Sequence, residues 1–253
     1  MPTTNLDLLE WLRAQCAQYS LDVVAVFRRS ADHPWPLVAV DEAELEERLL
    51  AGGHLLPLPK EPAALANVIE VSILDFLRQR LTQVDGAVVR RGTERGYPDL
   101  ELTGPALGGD FHAVDVKVAR RAASGRTTES RITLYTGNSY FRYPTLHFPG
   151  TFRPFQDYAS HLDIVGIYTL NEATAARVED LELLVHPAWR LGSRMRSSTT
   201  REYIGAVTNI ERLREGRGEF ETPEDFYAFW RNYPFRITRQ VQQQLDRLLR
   251  HQP

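Results

Sequence analysis

Asp99, Asp115 and Lys117 are the residues of this chain best suited by type and spacing to do chemistry. Asp99 follows Pro98, and Asp115 stands sixteen residues later in Asp115-Val116-Lys117. Of the 30 basic residues, only Lys60 and Lys117 are lysines. Arginine stays protonated and presents a wide planar fork, whereas lysine is a compact point charge whose pKa responds to burial. A site that holds one small cation beside metal-binding carboxylates has reason to use lysine. In a strand, residues two apart share a face. Asp115 and Lys117 therefore point one way, while His112, Val114, Val116 and Val118 point the other, toward a core. Asp99 and Glu101 likewise share a face, with Leu100 and Leu102 opposite. If the two strands pair through a turn at 103–109, carboxylates and a lysine converge on one side of a hairpin. Oxygen ligands of this kind suit a hard divalent cation such as Mg²⁺. Such an ion polarises a phosphate and acidifies a bound water, and the lysine can position that water and offset developing negative charge. The same triplet also fits an edge hairpin carrying ordinary surface charges, so the motif needs context.

The elements that must position these groups are legible in outline. Helical periodicity runs over 5–18, where Leu8, Leu9, Leu12 and Cys16 recur. Two β-rich runs at 22–27 and 36–40 form a hairpin or ribbon. A charged helix over 41–50 ends at Gly52-Gly53. Pro62 opens a long helix to about Leu81. On its wheel Glu70 falls beside Ile73, Leu77 and Leu81, on the apolar arc. It is either an edge acid that snorkels to solvent or one that points into a site. Strands are expected at 84–90, 97–102, 111–118, 131–135, 164–170 and 181–185, a short helix at 155–159, and a basic, Ser/Thr-rich loop at 190–201. Thr222 caps a helix that Pro223 opens and Pro234 closes, and an amphipathic helix covers 238–249. Strands alternating with helices around one sheet give an α/β domain.

Composition narrows the function classes. An apolar fraction of 43% is ample for a core, and the net charge of −3 does not by itself suggest nucleic acid. The charge is unevenly spread, however: residues 190–218 hold seven arginines against three glutamates. One basic stretch on a mildly acidic chain can still bind a polyanion. Cys16 is the only cysteine, which excludes an internal disulfide and a multi-cysteine zinc site. With no signal-peptide pattern and no long apolar run, a cytoplasmic protein is expected.

Taken together, these residues resemble the PD-(D/E)xK nucleases, and within them the EcoRV-type type II restriction endonucleases. Asp99, Asp115 and Lys117 stand where the family places two metal-binding aspartates and its lysine, and Glu70 matches its helix glutamate. The similarity continues in order through Arg131-Ile132-Thr133-Leu134, Ser139-Tyr140-Phe141-Arg142, Arg153-Pro154-Phe155-Gln156-Asp157-Tyr158 and Gly166-Ile167-Tyr168-Thr169. It ends with Glu215-Gly216-Arg217-Gly218-Glu219-Phe220 and Phe229-Trp230-Arg231-Asn232-Tyr233.

The resemblance implies a restriction-endonuclease-like α/β fold, with a mixed central sheet flanked by helices, in a single domain over 1–253. A dimerisation hairpin would occupy 20–40, the catalytic core 63–185, and the recognition loop with C-terminal helices 186–253. It implies a homodimer cutting both strands of double-stranded DNA at a short palindrome, leaving 5′-phosphate and 3′-hydroxyl ends. Mg²⁺, or Mn²⁺ in its place, would be held by Asp99, Asp115, the Val116 carbonyl and Glu70. Lys117 would orient or activate the attacking water. A cognate DNA methyltransferase would belong to the same system without being bound. Candidate DNA contacts are Arg91, Thr93 and Arg95 in a minor-groove loop at 91–96, then Arg120, Asn138 and Ser139. In a major-groove loop at 192–201 they are Arg194, Arg196, Ser197, Ser198, Thr199, Thr200 and Arg201. That loop is arginine-rich where the family's is Gly/Asn/Thr-rich, and arginine favours guanine. A repair or nicking nuclease of the same fold, or a DNA-binding protein that does not cut, are the alternatives.

Overall fold

The computed structural model describes residues 5–21, 41–44, 62–93, 96–173 and 177–250. The hairpin expected within 20–40, most of the helix expected at 41–50, Lys60 and Arg95 lie outside the described residues. Helix α1 (Leu8–Cys16) starts where the Asp7 side chain accepts the Glu10 N–H at 3.1 Å, satisfying a free donor of the first turn. It buries Leu8, Leu12 and Cys16, one residue per turn. Helix α2 (Pro62–Leu81) keeps the expected bounds. Its buried Leu65, Ile69, Ile73, Leu77 and Leu81 recur every fourth residue and form one stripe.

Five strands form the main sheet: β1 (Val88–Arg91), β2 (Leu100–Thr103), β3 (His112–Arg120), β5 (Ser160–Leu170) and β6 (Val178–Pro187), in spatial order β1-β2-β3-β5-β6. All neighbours are antiparallel except β3 and β5, which run parallel. One face carries Leu100, Leu102, Val114, Val116, Leu162 and Ile164 into a core with α1 and α2. The other carries Ala113, Ala119, Val165 and Ile167 into a second, aromatic core. The α/β architecture with helices flanking a mixed sheet is as expected. Strand β5 is longer than the expected 164–170. It begins at Ser160, so a stretch read as connection is buried strand.

A second sheet corrects the single-sheet expectation. Strands β4 (Thr133–Thr136), β7 (Gly192–Arg196) and β8 (Tyr203–Ala206) pair in the order β4-β8-β7. The segment 190–201, read as a loop, is thus half strand: β7 leads out, 197–202 turns, and β8 returns. Ser193 anchors this hairpin. It is fully buried, and its hydroxyl bonds to the carbonyls of Met195 at 3.0 Å and Gly205 at 3.1 Å. Gly205 is needed there, since a Cβ would lie 2.3 Å from the Arg131 side chain and 2.5 Å from the Met195 carbonyl.

After α3 (Ile210–Arg214), helix α4 (Pro223–Asn232) opens on Thr222, whose hydroxyl accepts the Asp225 N–H. It buries Phe226 and Trp230 one turn apart against the second sheet. The Trp230 indole donates to the Ser193 carbonyl at 3.1 Å, tying α4 to the foot of the β7–β8 hairpin. Trp230→Ala should therefore cost about 3–5 kcal/mol of stability by cavity formation, measured by chemical denaturation. A loss below about 1 kcal/mol would show that this core does not depend on the indole. Helix α5 (Arg239–Arg250) closes the chain. Among the described residues no helix is long and apolar enough to cross a membrane.

Candidate active site

The site is built at the junction of β2 and β3. Antiparallel pairing sets Leu100 opposite Val114 and Glu101 opposite Ala113, which brings Asp99 beside Asp115. The two acids are interlocked through the backbone. Asp99 Oδ2 accepts the Val116 N–H at 2.7 Å, and Asp115 Oδ1 accepts the Asp99 N–H at 3.2 Å. Lys117 Nζ donates to Asp115 Oδ2. Each carboxylate thus has one oxygen fixed by the main chain, which orients both groups before any ligand arrives. Asp115 is 5% exposed, while Lys117 remains partly accessible.

Burial and crowding set the ionisation. Burial, reinforced by the Asp115 charge, raises the Asp99 pKa to about 8. Burial works against the Lys117 ammonium, but Asp115, Asp99 and Asp163 together hold its pKa above the ordinary lysine value. Lys117 is therefore a permanent cation in the metal-free site. It can donate hydrogen bonds and balance negative charge, but it does not take up a proton near neutral pH. Glu70 joins the same field. Burial raises its pKa, opposed by Lys117, reinforced by Asp115 and opposed again by Arg91.

Other candidates are placed as follows. Glu101 shares the sheet face of Asp115 but is committed elsewhere. Arg153 grips it through two nitrogens at 2.6 and 3.1 Å, and the Tyr158 hydroxyl donates to it at 3.1 Å. Arg91 pairs with Asp75 of α2 at 3.2 Å, and Thr93 is exposed. Arg120 pairs with Glu129. Asn138 is 7% exposed and its amide donates to the Arg236 carbonyl, whereas Ser139 is half-buried nearby. On the β7–β8 hairpin, the Arg194 guanidinium lies over Phe220 and Phe229, 4.8 and 5.0 Å from the ring centres. Arg196 pairs with Glu202 at 3.0 Å and donates to the Thr199 carbonyl. Arg201 donates to the Tyr203 hydroxyl at 3.0 Å. Ser197 bonds to Thr133 across the sheet, and Ser198 organises the turn through Thr200 and Arg201. Thr199 and Thr200 are exposed at its tip.

Sequence reasoning missed Asp163. It pairs in register with Asp115 across the parallel β3–β5 ladder, and it is 1% exposed. Burial, then the charge of Asp115, raises its pKa well above the ordinary range. Its signal was present: an acid inside the apolar run Leu162-Asp163-Ile164-Val165. A wall of tyrosines was also missed. Tyr97 stacks on Tyr140 at 5.0 Å and meets Tyr135 edge-on at 5.8 Å. Burial, then the Asp115 charge, raises the Tyr140 pKa.

The donor set fits a hard divalent cation. Asp99 and Asp115 supply preoriented oxygens, and Val116 lies between Asp115 and Lys117 in sequence. Among the described residues no three His, Cys, Asp or Glu side chains form a complete metal cage.

The site thus joins paired aspartates and a lysine where two adjacent strands of a mixed sheet meet. The family model for restriction endonuclease EcoRV matches residues 32–252. The type II restriction enzyme EcoRV of Escherichia coli is 22% identical over 201 residues, spanning 72% of this chain and 79% of that protein. The chain belongs to the EcoRV restriction endonuclease family. Members of this family cut DNA at specific sites, and restriction endonucleases of this kind generally use divalent metal ions.

Proposed function

We propose that this protein is a homodimeric, Mg²⁺-dependent type II endonuclease that cuts both strands of duplex DNA within a short palindrome. The observation that carries this reading is the interlocked trio at the β2–β3 junction: Asp99 held by the Val116 N–H, Asp115 held by the Asp99 N–H, and Lys117 held by Asp115. Mg²⁺, with Mn²⁺ as a substitute, would be held by Asp99, Asp115 and the Val116 carbonyl, with Glu70 as a further carboxylate. When bound, the ion supplies Lewis-acid polarisation of the scissile phosphate and a more acidic water. Asp99 and Asp115 are each anchored by the main chain at one oxygen, which leaves the other oxygen of each oriented for the ion. Lys117, as an ammonium, donates to the attacking water or a phosphate oxygen and offsets the charge that builds there. Breaking the bond to the 3′ oxygen leaves 5′-phosphate and 3′-hydroxyl ends. The domain assignment follows: 20–40 for dimerisation, 63–185 for catalysis and 186–253 for recognition. The enzyme would work in the cytoplasm beside a methyltransferase that protects host sites.

Incubation with a mixed-sequence plasmid and Mg²⁺ tests the reading. Discrete double-strand fragments are expected. Nicked circles alone would favour a nicking or repair nuclease, and retarded but uncut DNA a binding protein.

Metal binding should be linked to pH. Asp99 titrates at about 8, so it carries a proton at neutral pH that the metal must displace. The Mn²⁺ affinity of the free protein should rise about tenfold per pH unit up to about pH 8, then level off. The sign for folding is opposite. An acid whose folded pKa is raised stabilises the metal-free fold at low pH, and this contribution is lost as pH rises from the ordinary carboxylate range to about 8. Calorimetric titration and thermal melting across that range check both slopes; a flat Mn²⁺ affinity would contradict the protonated Asp99.

Recognition is assigned to the β7–β8 hairpin. Arg194 is exposed yet stacked on two rings, which preorganises its fork at little entropic cost, whereas Arg196 is already paired with Glu202. Arg194→Ala should cost about 1–3 kcal/mol on the cognate duplex and relax preference at one symmetric pair of positions. Uniform weakening on all sequences, with a shallower salt dependence, would instead mean a phosphate contact.

A further inference from the structure

Asp163 is a buried acid with no part in the chemistry proposed above. It lies on β5, opposite Asp115 of the central strand β3, and points to the same side of the sheet as Asp115 and Lys117. Neighbouring strands are about 4.8 Å apart, so the two acids are lateral neighbours. Its Oδ2 is buried and has no hydrogen-bond partner. A buried carboxylate oxygen without a donor is costly, and such atoms call for an explanation. Among the described residues no side chain or backbone group donates to it, and the buried Tyr135 hydroxyl is likewise unpartnered.

Lys117 supplies the explanation once the metal reading above is granted. Its ammonium now occupies Asp115 Oδ2, the oxygen not fixed by the main chain. A divalent cation drawing on that oxygen would face the ammonium at close range, where like charges in a partly buried site repel strongly. The ammonium needs a second acceptor within reach of its flexible stem. The geometry points to Asp163 as that acceptor: a positioning residue that receives the Lys117 ammonium when a divalent cation takes Asp115. The step is a change of hydrogen-bond partner for the ammonium. Lys117 swings from one carboxylate to the next across the β3–β5 ladder and stays charged and directed. Asp163 thereby frees the metal-binding oxygen and holds the lysine where the attacking water must lie. This inference rests on the metal-site reading of Asp99 and Asp115.

The test is Mn²⁺ alone titrated into the full-length protein by calorimetry, in two backgrounds. With Lys117 present, Asp163→Asn and Asp163→Leu should each weaken Mn²⁺ binding by about tenfold or more, the usual range for partners that orient metal ligands. With Lys117→Ala, no ammonium has to move, and adding Asp163→Asn should change Mn²⁺ affinity by less than about twofold. Asparagine keeps the shape of the side chain and leucine removes its polarity, so at least one should preserve the fold, as thermal melting will show. Unchanged affinity in both single variants would overturn the inference. So would equal weakening with and without Lys117, which would mean that Asp163 acts directly on the ion or on the fold. Failure of the wild-type protein to bind Mn²⁺ would instead bring down the metal-site reading, and this inference with it.

Discussion

Replacing Asp115 with alanine should stop DNA cleavage, and Asp99→Ala should do the same. Both changes remove an oxygen whose orientation the main chain has already fixed, and Asp115→Ala also strips Lys117 of its partner. Metal-assisted catalysis stabilises the transition state by several kcal/mol, so the single-turnover rate should fall on the order of 10³-fold or more. The fold should survive, because removing an acid from a crowded buried cluster relieves repulsion as well as losing hydrogen bonds. With Ca²⁺ in place of Mg²⁺, the wild-type protein should bind the cognate duplex tightly without cutting it, since Ca²⁺ occupies carboxylate sites with looser geometry. A rate within about tenfold of wild type in either variant would remove the acid concerned from the mechanism.

Lys117 carries the second large effect. Lys117→Ala should reduce the cleavage rate by about 10²–10³-fold, the range for loss of one preorganised charge-stabilising donor. Lys117→Arg should be nearly as damaging. Its charge is kept, but a broad planar fork cannot sit between Asp115 and the acids around it as a compact ammonium does. Specific binding, measured by gel retardation, should remain in both variants, which separates a catalytic defect from a failure to dock. Substantial cutting by the arginine variant would sink the role given to the ammonium.

How far the sequence led is clearest residue by residue. The α2 bounds and the two faces of β3 were readable because each segment keeps one period throughout: an apolar residue at every fourth position of the helix, or strict alternation of Val with Asp and Lys. Asp99, Asp115 and Lys117 were legible for the same reason, since alternation alone sends the acid and the lysine to one side. The β7–β8 hairpin was not. Arg194 and Arg196 alternate with Met195, but Met195 is itself exposed at 60%, so no apolar face marks the strand. Its register is instead set by Ser193 and Trp230, through bonds to residues distant in sequence. Asp163 was missed because β5 is covered on both faces. Such strands read as continuous apolar runs, and an acid within one looks like the end of a strand when it is the middle.

The most direct test of the central claim is to sequence the ends made when wild-type protein and Asp115→Ala act in parallel on the same DNA of mixed sequence with Mg²⁺. The account predicts that every wild-type end lies within one short palindrome and carries a 5′-phosphate, and that the variant produces no ends. Ends scattered across unrelated sequences, or the same ends from both proteins, would contradict it.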